Sequence, residues 1–260
     1  MSHFLSVDLT FFALCQGVFP WTEPELLPIL IETQDYVVSA EELLLCRSLT
    51  EKNIASLPEK SRNARWQTYD ISSLDTLADL DALVEWWSPN PRAIFDLDNI
   101  HIPRRLLRDM KSQKFIVTYD QAFPEVMLAC ANVGFRRLEG TWITREFFST
   151  YCKLHELGFA HSVECWQEKE PHGRELVGGV YGVAIGRFFD GESMFSSVSN
   201  ASKVALFTLL LRLKECGFQL FDLQVLNPHT QSLGGIDIPR SEYLARLNEA
   251  IEFKNYFHVD

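Results

Sequence analysis

The densest hydrophobic pattern of the chain lies between residues 176 and 227, and it predicts two strands, a long helix and a third strand. Glycine recurs along the first of these strands, which is typical of a strand that bends or that another part of the chain approaches closely. Gly186-Arg187 has the length and composition of a tight hairpin turn. We therefore expect a first strand over residues 176–185 and an antiparallel partner over residues 188–195.

A helix is expected to follow, from about Ala201 to Cys216. Ser199 or Asn200 can cap its first turn, because their side chains accept hydrogen bonds from the free N–H groups there. Gly217 stands where a left-handed residue commonly ends a helix. Since apolar residues surround almost the whole helix, we expect it to be buried on more than one side.

The third strand, at residues 220–226, carries an Asp and a Gln inside an apolar run. Period-two alternation places Asp222 and Gln224 on one face and Phe221 and Leu223 on the other. A buried Asp is rare unless it is paired. From the residue pattern alone, a structural ion pair and a working acid or base are both open interpretations.

Shorter periodic segments predict further elements along the chain. Capping patterns at Ser39 and Ser73 predict two helices inside residues 22–85, with a loop at 57–70 between them. The other predicted elements are a helix ending at Gly17, an extended Phe-Pro-Trp at 19–21, an extended Trp-Trp-Ser-Pro-Asn-Pro-Arg at 86–92, a helix after Ile102-Pro103, a strand at 115–119, helices at 122–130 and 145–157, and a strand at 161–167.

Composition favours a globular protein, because 47% hydrophobic and 12% aromatic residues in a chain of 260 can fill one large or two small domains. The six cysteines include no CxxC pair, which we interpret as reduced thiols. We find no signal-peptide pattern and no early apolar run of membrane-spanning length, and we expect a soluble, cytoplasmic protein without a membrane partner. The net charge of −11 is unexpected for a protein that binds a polyanion, but most of it comes from residues 22–85.

One dense group of basic residues stands out in this acidic chain. Arg104, Arg108 and Lys111 are spaced to share one face of a predicted helix, with Arg105 and Lys114 beside them. A solvated surface is the ordinary interpretation of such a face. A phosphate-binding surface is the alternative.

Seven strings of the sequence carry a resemblance to a known family. They are GTWIT (140–144), LHELGFAHSVE (154–164), LVGGVYGVAIG (176–186), GESMFS (191–196), NASK (200–203), DLQVLN (222–227) and SLGGIDIPR (232–240). In this order they closely resemble leucyl/phenylalanyl-tRNA protein transferases. The Phe-Pro-Trp and Trp-Trp-Ser-Pro-Asn-Pro-Arg segments are similar to two further elements of that family.

The resemblance implies an α+β fold with two domains. A GNAT-like acyltransferase core, in which helices flank a mixed sheet, would occupy residues 92–260, and a smaller N-terminal domain would occupy residues 1–91. Residues 22–85 replace a brief connection of the family with an acidic insertion. We interpret the insertion as a solvated surface segment, and a role in acceptor-protein docking or self-association is the alternative.

The activity implied by the resemblance is transfer of Leu or Phe, with Met as a further candidate, from aminoacyl-tRNA to the N-terminal α-amino group of proteins starting with Arg or Lys. Such transfer marks proteins for degradation in an N-degron pathway. Because the aminoacyl ester is already activated, aminolysis needs chiefly positioning, with no metal, cofactor or covalent intermediate. We expect a monomer.

The implied catalytic residues are Asp222, Gln224 and Glu192. Gln224 would hold the attacking amine or the ester carbonyl, and Asp222 would orient it and favour the departing proton. Glu192 would face the α-amino group of the donor or the cationic acceptor. Glutamine is a negligible base, so its role is positioning. The residues implied around the adenosine and the aminoacyl group are Trp21, Trp142, Tyr151, Val180, Met194, Leu209, Leu213, Phe221 and Asn227, and those implied to contact tRNA are Arg104, Arg108 and Lys111.

Two other functions stay open at this point. A coenzyme A-dependent N-acetyltransferase could use a similar core, but residues 196–203 contain no glycine where those enzymes place a loop around the pyrophosphate. An inactive tRNA-binding relative is favoured by a short N-terminal arm, by Leu14 where the family carries a tyrosine, and by the insertion. The retained Asp222, Gln224 and Glu192 argue against it.

A zinc site of the HExxH type is not expected. His155 and His161 are six residues apart, whereas two ligands on one helical face would be four apart. The sequence therefore predicts no metal.

Overall fold

A computed structural model describes residues 5, 7–21, 36–37, 85–112, 114–132, 141–171, 173–253 and 257 of the chain. The helices predicted from Ser39 and Ser73, the loop at 57–70 and nearly all of the acidic segment at 22–85 lie outside the described residues.

The described residues contain two β-sheets. Their strands are β1 (Phe19–Trp21), β2 (Tyr36–Val37), β3 (Glu85–Ser88), β4 (Arg92–Phe95), β5 (Ile116–Tyr119), β6 (Ala160–Glu168), β7 (Arg174–Ile185), β8 (Phe188–Ser196), β9 (Leu220–Gln224) and β10 (Ile236–Ile238). The smaller sheet has the order β1-β3-β2, and the larger has the order β10-β4-β9-β8-β7-β6-β5.

The larger sheet is mixed. Its neighbouring strands are antiparallel except for β8 and β9, whose parallel pairing begins at Phe188 with Leu220 and ends at Asp190 with Asp222. A parallel pair needs a crossover connection, which a helix supplies here. Helices flank this mixed sheet, so the predicted α+β class is confirmed.

The helices are α1 (Val7–Cys15), α2 (Arg104–Lys111), α3 (Phe123–Asn132), α4 (Arg145–Glu156), α5 (Ala201–Glu215), α6 (Pro228–Ser232) and α7 (Arg240–Ile251), with a 3₁₀ turn at Leu97–Asn99. One core contains residues of α1, α3, α4 and α7, and a second contains residues of α5. Val180 and Tyr181, which are neighbours in β7, belong to different cores, so the two cores lie on opposite faces of the sheet. Within the described residues, no helix has the length and hydropathy that a bilayer crossing requires.

Helix α5 is the crossover between β8 and β9. It is buried along most of its length, as its apolar pattern predicts. Gly178 permits its close approach to β7, because a Cβ atom there would lie 2.5 Å from the Cβ of Ala201. This glycine is therefore required by helix packing rather than by a turn.

The first helix packs directly on the rest of the molecule. The Phe11 ring lies 4.4 Å from the Phe159 ring, and both residues belong to the core that contains α4 and α7. Gly17, with φ 71°, ends the helix as predicted. The division into domains at residues 91 and 92 stays a prediction.

Most described elements match the predicted ones, with small shifts at their ends. Gly186 (φ 59°) and Gly217 (φ 76°) have the left-handed conformation expected of the hairpin turn and the helix end. Asn200 is the N-cap residue of α5, as predicted, but its side chain makes no capping bond, and its Nδ2 donates to Asp109 Oδ2 at 2.7 Å. The Ser202 N–H in the first turn donates instead to Ser196 Oγ at 3.2 Å. Strand β9 ends earlier than predicted, at Gln224.

Candidate active site

A cavity of about 470 Å³ lies at the point where β8 and β9 stop pairing. Strand β8 contributes residues 191–196, and the chain from the end of β9 contributes residues 223–230. The remaining lining residues are Phe19, Trp21, Trp142, Val180, Ser202, Leu206 and Phe221. A cavity of this size and mixed polarity is typical of a small-molecule or cofactor-sized site.

Glu192 enters this cavity from a β-bulge. The residues on either side of Glu192 pair with consecutive residues of β7, Gly182 and Tyr181, so Glu192 itself has no partner there. Bulges redirect side chains and are common beside active sites. The half-buried Glu192 carboxylate accepts a hydrogen bond from the Tyr151 hydroxyl at 2.5 Å. Tyr151 is fully buried and does not line the cavity, so its contact with the site is through Glu192.

Gln224 lies beside a second bulge, at the end of β9. Ala93 of β4 pairs with Gln224 and Ile94 pairs with Asp222, which leaves Leu223 without a partner in β4. Gln224 has φ 64°, a left-handed conformation that costs a non-glycine residue roughly 1 kcal/mol or more. This conformation ends the strand and brings Gln224 to the cavity wall.

Asp222 is fully buried and does not line the cavity. The Arg92 guanidinium donates to both carboxylate oxygens, from Nε to Oδ1 at 2.9 Å and from Nη2 to Oδ2 at 2.6 Å. The Tyr243 hydroxyl donates to Oδ2 at 2.6 Å, and the backbone N–H of Gln224 donates to Oδ1 at 2.7 Å. Arg92 also donates to the Gly17 carbonyl at 3.1 Å. Asp222 therefore holds the main chain of Gln224 instead of facing the cavity.

Asp190 is a second fully buried carboxyl group in this cluster. It lies opposite Asp222 in the parallel pairing of β8 and β9. The Gln224 side-chain Nε2 lies 3.3 Å from Asp190 Oδ1 and 3.3 Å from Glu192 Oε2. Three carboxyl groups thus surround Gln224, and one of them is paired with Arg92.

Crowding and burial raise the pKa of the other two carboxyl groups. Burial raises the pKa of Glu192 to about 7, against the opposing effect of the hydrogen bonds from Tyr151 and Gln224. Burial, followed by the charges of Glu192 and Asp222, raises the pKa of Asp190 well above its usual range. Burial also raises the pKa of the Tyr151 phenol, which therefore remains a hydrogen-bond donor.

Two tryptophans form an aromatic wall on another side of the cavity. The rings of Trp21 and Trp142 are stacked, with centroids 5.3 Å apart and planes at 22°. The Trp21 Nε1 is buried and has no hydrogen-bond partner among the described residues. A flat indole surface of this kind can stack on a nucleic-acid base of any sequence.

The apolar part of the cavity includes three of the pocket residues chosen from the sequence, namely Val180, Met194 and Phe221. Leu209 and Leu213 do not line it and are only 1% and 0% exposed in the core. Ser202 and Leu206, one helical turn apart, are the residues of α5 that reach the cavity. Only the first turns of this helix border the site, which places the two later leucines too far along its axis.

The remaining candidates lie at the rim and on the surface. Asn227 lines the cavity and is also the N-cap of α6, with its Oδ1 accepting from the Thr230 N–H at 2.9 Å. Arg104, Arg108 and Lys111 are all exposed on α2, which packs against α5. Among the described residues, no group of three or more His, Cys, Asp or Glu side chains could hold a metal ion.

Arg92 and Asp190 are the site residues that the sequence analysis missed. An arginine at the start of the apolar strand RAIF needs an acceptor if it is buried, and this condition was the signal available in the sequence. Asp190 precedes Glu192 by two residues, so period-two alternation favours a common face for both. Neither signal identifies the partner strand, because that depends on the order of strands in the sheet.

Comparison with known proteins gives a consistent result. A family model described as leucyl/phenylalanyl-tRNA protein transferase matches residues 94–248. A transferase of that name from Edwardsiella ictaluri is 50% identical over 165 residues, covering 64% of this chain and 65% of that protein. One from Hydrogenovibrio crunogenus is 44% identical over 169 residues, covering 65% of this chain and 64% of that protein. The matched region thus spans just under two thirds of the length of these two relatives.

Among solved structures, FemX aligns with 62% of this chain and 64% of its own, with 13% identity and a TM-score of 0.43.

Proposed function

The chain belongs to the leucyl/phenylalanyl-tRNA protein transferase family, and from this premise we propose that it transfers Leu or Phe from aminoacyl-tRNA to the N-terminal α-amino group of proteins. The proposed acceptors begin with Arg or Lys, and Met is a further candidate for the transferred residue. The product would carry a new N-terminal residue that marks it for degradation.

The observation that carries this proposal is the combination of three surfaces around one cavity. An aromatic wall of Trp21 and Trp142 can stack on the terminal adenosine, and an apolar wall can hold the Leu or Phe side chain. Glu192 and Gln224 line the same cavity and give it a polar wall. The ester that joins an adenosine to its amino acid would therefore lie beside polar side chains.

The reaction would be a direct aminolysis of the ester. The acceptor nitrogen attacks the carbonyl carbon, a C–N bond forms, the C–O bond to the ribose breaks, and the proton lost by nitrogen ends on the ribose oxygen. An α-amino group has an ordinary pKa of about 7.7–8.0, so part of it is free amine at neutral pH. Gln224 would accept a hydrogen bond from the amine, and Glu192 would pair with the donor α-amino group or exchange a proton with the acceptor.

Asp222 would act through Gln224 in this scheme. Its carboxylate is bonded to Arg92, Tyr243 and the Gln224 backbone N–H, which holds Gln224 in its left-handed conformation.

Helix α2 would meet the phosphates of the tRNA acceptor stem. Its exposed Arg104, Arg108 and Lys111 share a helix with Arg105, and they stand out in a chain of net charge −11. Such contacts bind any tRNA, which fits a donor selected by its amino acid rather than by its sequence.

We further propose a GNAT-like core at residues 92–260, preceded by a small N-terminal domain at 1–91 with an acidic insertion at about 22–85. The mixed sheet, with a cavity at the end of its parallel strand pair, supports such an acyltransferase architecture. Use of charged tRNA would place the protein in the cytoplasm. We propose a monomer.

The direct test is transfer of labelled leucine from charged tRNA to a protein with N-terminal Arg, compared with the same protein starting with Ala. We expect label on the Arg-starting protein alone. Absence of label on both would reject the activity, and equal label on both would reject the acceptor preference.

The tRNA surface is tested by charge reversal on α2. The double variant Arg104→Glu with Arg108→Glu is expected to raise the KM for tRNA. The slope of log KM against log salt concentration should fall by about one unit for each lost phosphate contact. The matched control reverses two exposed basic residues of the β6–β7 hairpin, Lys169→Glu with Arg174→Glu, and should leave the salt slope unchanged. An unchanged slope in the α2 variant would remove this helix from the interface.

A further inference from the structure

The side-chain amide of Gln224 is surrounded by carboxyl oxygens on one side only. Its Nε2 lies 3.3 Å and 3.5 Å from the two oxygens of Asp190 and 3.3 Å from Glu192 Oε2. A glutamine amide offers two N–H donors on nitrogen and an acceptor on oxygen. The nitrogen therefore belongs on the carboxyl side, since the opposite orientation would direct the amide oxygen at acceptors.

The orientation of the amide determines what Gln224 presents to the cavity. The described residues offer no hydrogen-bond donor to its Oε1, and Gln224 lines the cavity wall. With Nε2 bonded to the carboxyl groups, the Oε1 acceptor is left for a ligand. An acceptor at this point can receive an N–H from an incoming amine, whereas an amide NH₂ would donate to the nitrogen lone pair that the attack requires.

Gln224 is thus held at both of its ends by the paired carboxyl groups of two parallel strands. Asp222 of β9 accepts from its backbone N–H at 2.7 Å, and Asp190 of β8 accepts from its side-chain NH₂. These two aspartates lie opposite each other at the last parallel pair before the strands separate. Asp190 is 0% exposed and does not line the cavity, so it has no direct access to a substrate.

We propose that Asp190 is a positioning residue that fixes the Gln224 amide with Nε2 towards β8 and Oε1 towards the cavity, where Oε1 accepts an N–H of the acceptor α-amino group. The inference rests on the proposed aminoacyl transfer, because it assigns the amine to the cavity. It assigns a function to the fully buried carboxyl group of Asp190.

The variant pair Asp190→Ala and Asp190→Asn separates positioning from a structural role. Alanine removes both acceptors, whereas asparagine keeps one carbonyl acceptor at nearly the same volume. In transfer from Phe-tRNA to an Arg-starting peptide, we expect Asp190→Ala to lower kcat by about tenfold to a hundredfold with an unchanged KM for Phe-tRNA. Asp190→Asn should recover most of that loss. Equal loss in both folded variants, or no loss in Asp190→Ala, would overturn the inference.

A second measurement reads the amide directly and needs no activity. In ¹⁵N-labelled protein, the Gln224 side-chain NH₂ signals can be assigned by their absence in Gln224→Met. We expect slow exchange of these hydrogens with solvent in the wild type and in Asp190→Asn, and at least about tenfold faster exchange in Asp190→Ala, because the N–H directed at Asp190 loses its acceptor while the contact with Glu192 alone remains. Equal exchange in wild type and Asp190→Ala would overturn the positioning role.

The two measurements distinguish failure of the inference from failure of the proposed function. A wild type that transfers no amino acid while its Gln224 NH₂ is protected by Asp190 would reject the transfer reaction and leave the amide orientation standing. Should Asp190→Ala not fold, the asparagine variant still decides. A folded Asp190→Asn with fast NH₂ exchange would contradict the proposal, because an acceptor remains in place.

Discussion

Two groups of carboxyl side chains in the same sheet, Glu164 in one and Asp190 with Glu192 in the other, differ in how completely their oxygens are hydrogen-bonded. On β6, the Glu164 carboxylate is fully buried and accepts from the Thr118 and Ser162 hydroxyls, each at 2.5 Å. On β8 and β9, Asp190 and Glu192 are crowded against each other and share the NH₂ of Gln224. The first group has a donor for each carboxylate oxygen, whereas the second has more acceptors than donors.

The surroundings of the two groups differ as well. The first group also lies near irregular backbone, because the β6–β7 register shifts after Cys165 and Asp120 has φ 53°, but neither Thr118 nor Glu164 lines the cavity. The second group has a bulge in each strand and a residue at φ 64°, and a cavity opens beside it. Strain and incomplete satisfaction of buried polar groups cost stability, and they persist where a ligand can make use of them. Burial of a carboxylate is therefore a poor indicator of function unless its donors and its position relative to a cavity are considered too.

The largest expected difference between the groups comes from removing one carboxylate from each. Asp222→Ala leaves the buried Arg92 unpaired, which should lower the free energy of unfolding by about 3–5 kcal/mol. It also frees Gln224, so transfer should fall by at least about a hundredfold. Urea unfolding and single-turnover transfer measure the two effects.

The control for that experiment is Glu164→Ala. It should also destabilise the protein, by about 1–3 kcal/mol, because the buried Ser162 hydroxyl and the partly buried Thr118 hydroxyl lose their acceptor. Transfer per folded molecule should stay near the wild-type value. If both variants lose transfer in proportion to stability, the distinction between the two groups fails.

The second prediction uses the raised pKa of Glu192. Because burial raises this pKa to about 7, a role for the ionised carboxylate predicts that kcat falls as the pH drops below about 7. The groups that face Glu192 are Asp190, Asp222, Arg92 and Tyr151. In Glu192→Gln, kcat should fall by about tenfold or more and the inflection near pH 7 should disappear.

The same pKa also predicts a dependence of stability on pH. A carboxyl group whose pKa is raised on folding favours the folded state when it is protonated. The contribution of Glu192 to the free energy of unfolding is therefore complete when the pH is below the ordinary pKa of a glutamate, and it is lost as the pH rises through about 7. Urea unfolding of the wild type and of Glu192→Gln between pH 5 and pH 8 measures this contribution. Identical pH dependence of the two proteins would contradict the assigned pKa.

The smallest expected difference is in the preference for Phe over Leu, and it concerns two buried leucines of α5. Leu206 lines the cavity and Leu209 does not. Leu206→Ala and Leu209→Ala should each cost about 2–5 kcal/mol of stability, because both create space in a packed core. Only Leu206→Ala enlarges the cavity, so it alone should shift the preference towards Phe over Leu, by about tenfold. Competition between Leu-tRNA and Phe-tRNA measures the ratio. An equal shift in both variants would remove Leu206 from the pocket.

The hydrophobic and turn-residue patterns of the sequence were sufficient to predict most of the described helices and strands, because these elements depend on residues that are close in the chain. Gly186 and Gly217 marked the hairpin turn and the helix end correctly, since both require a left-handed conformation that favours glycine. The choice of Leu209 and Leu213 as pocket residues illustrates the limit of such reasoning. An apolar helix that is buried along most of its length gives no indication of which of its turns borders a cavity.

The sequence by itself determined that Gln224 would be a polar residue inside an apolar strand, and that Asp222 would need a partner once buried. Only the tertiary structure decided that the partner is Arg92, from a strand 130 residues away along the chain, and that Asp190 lies beside Asp222. The physical reason is that hydrophobic periodicity is a property of neighbouring residues, whereas the pairing of charges is a property of neighbouring strands. Which strands become neighbours is determined by the packing of the whole sheet against its helices.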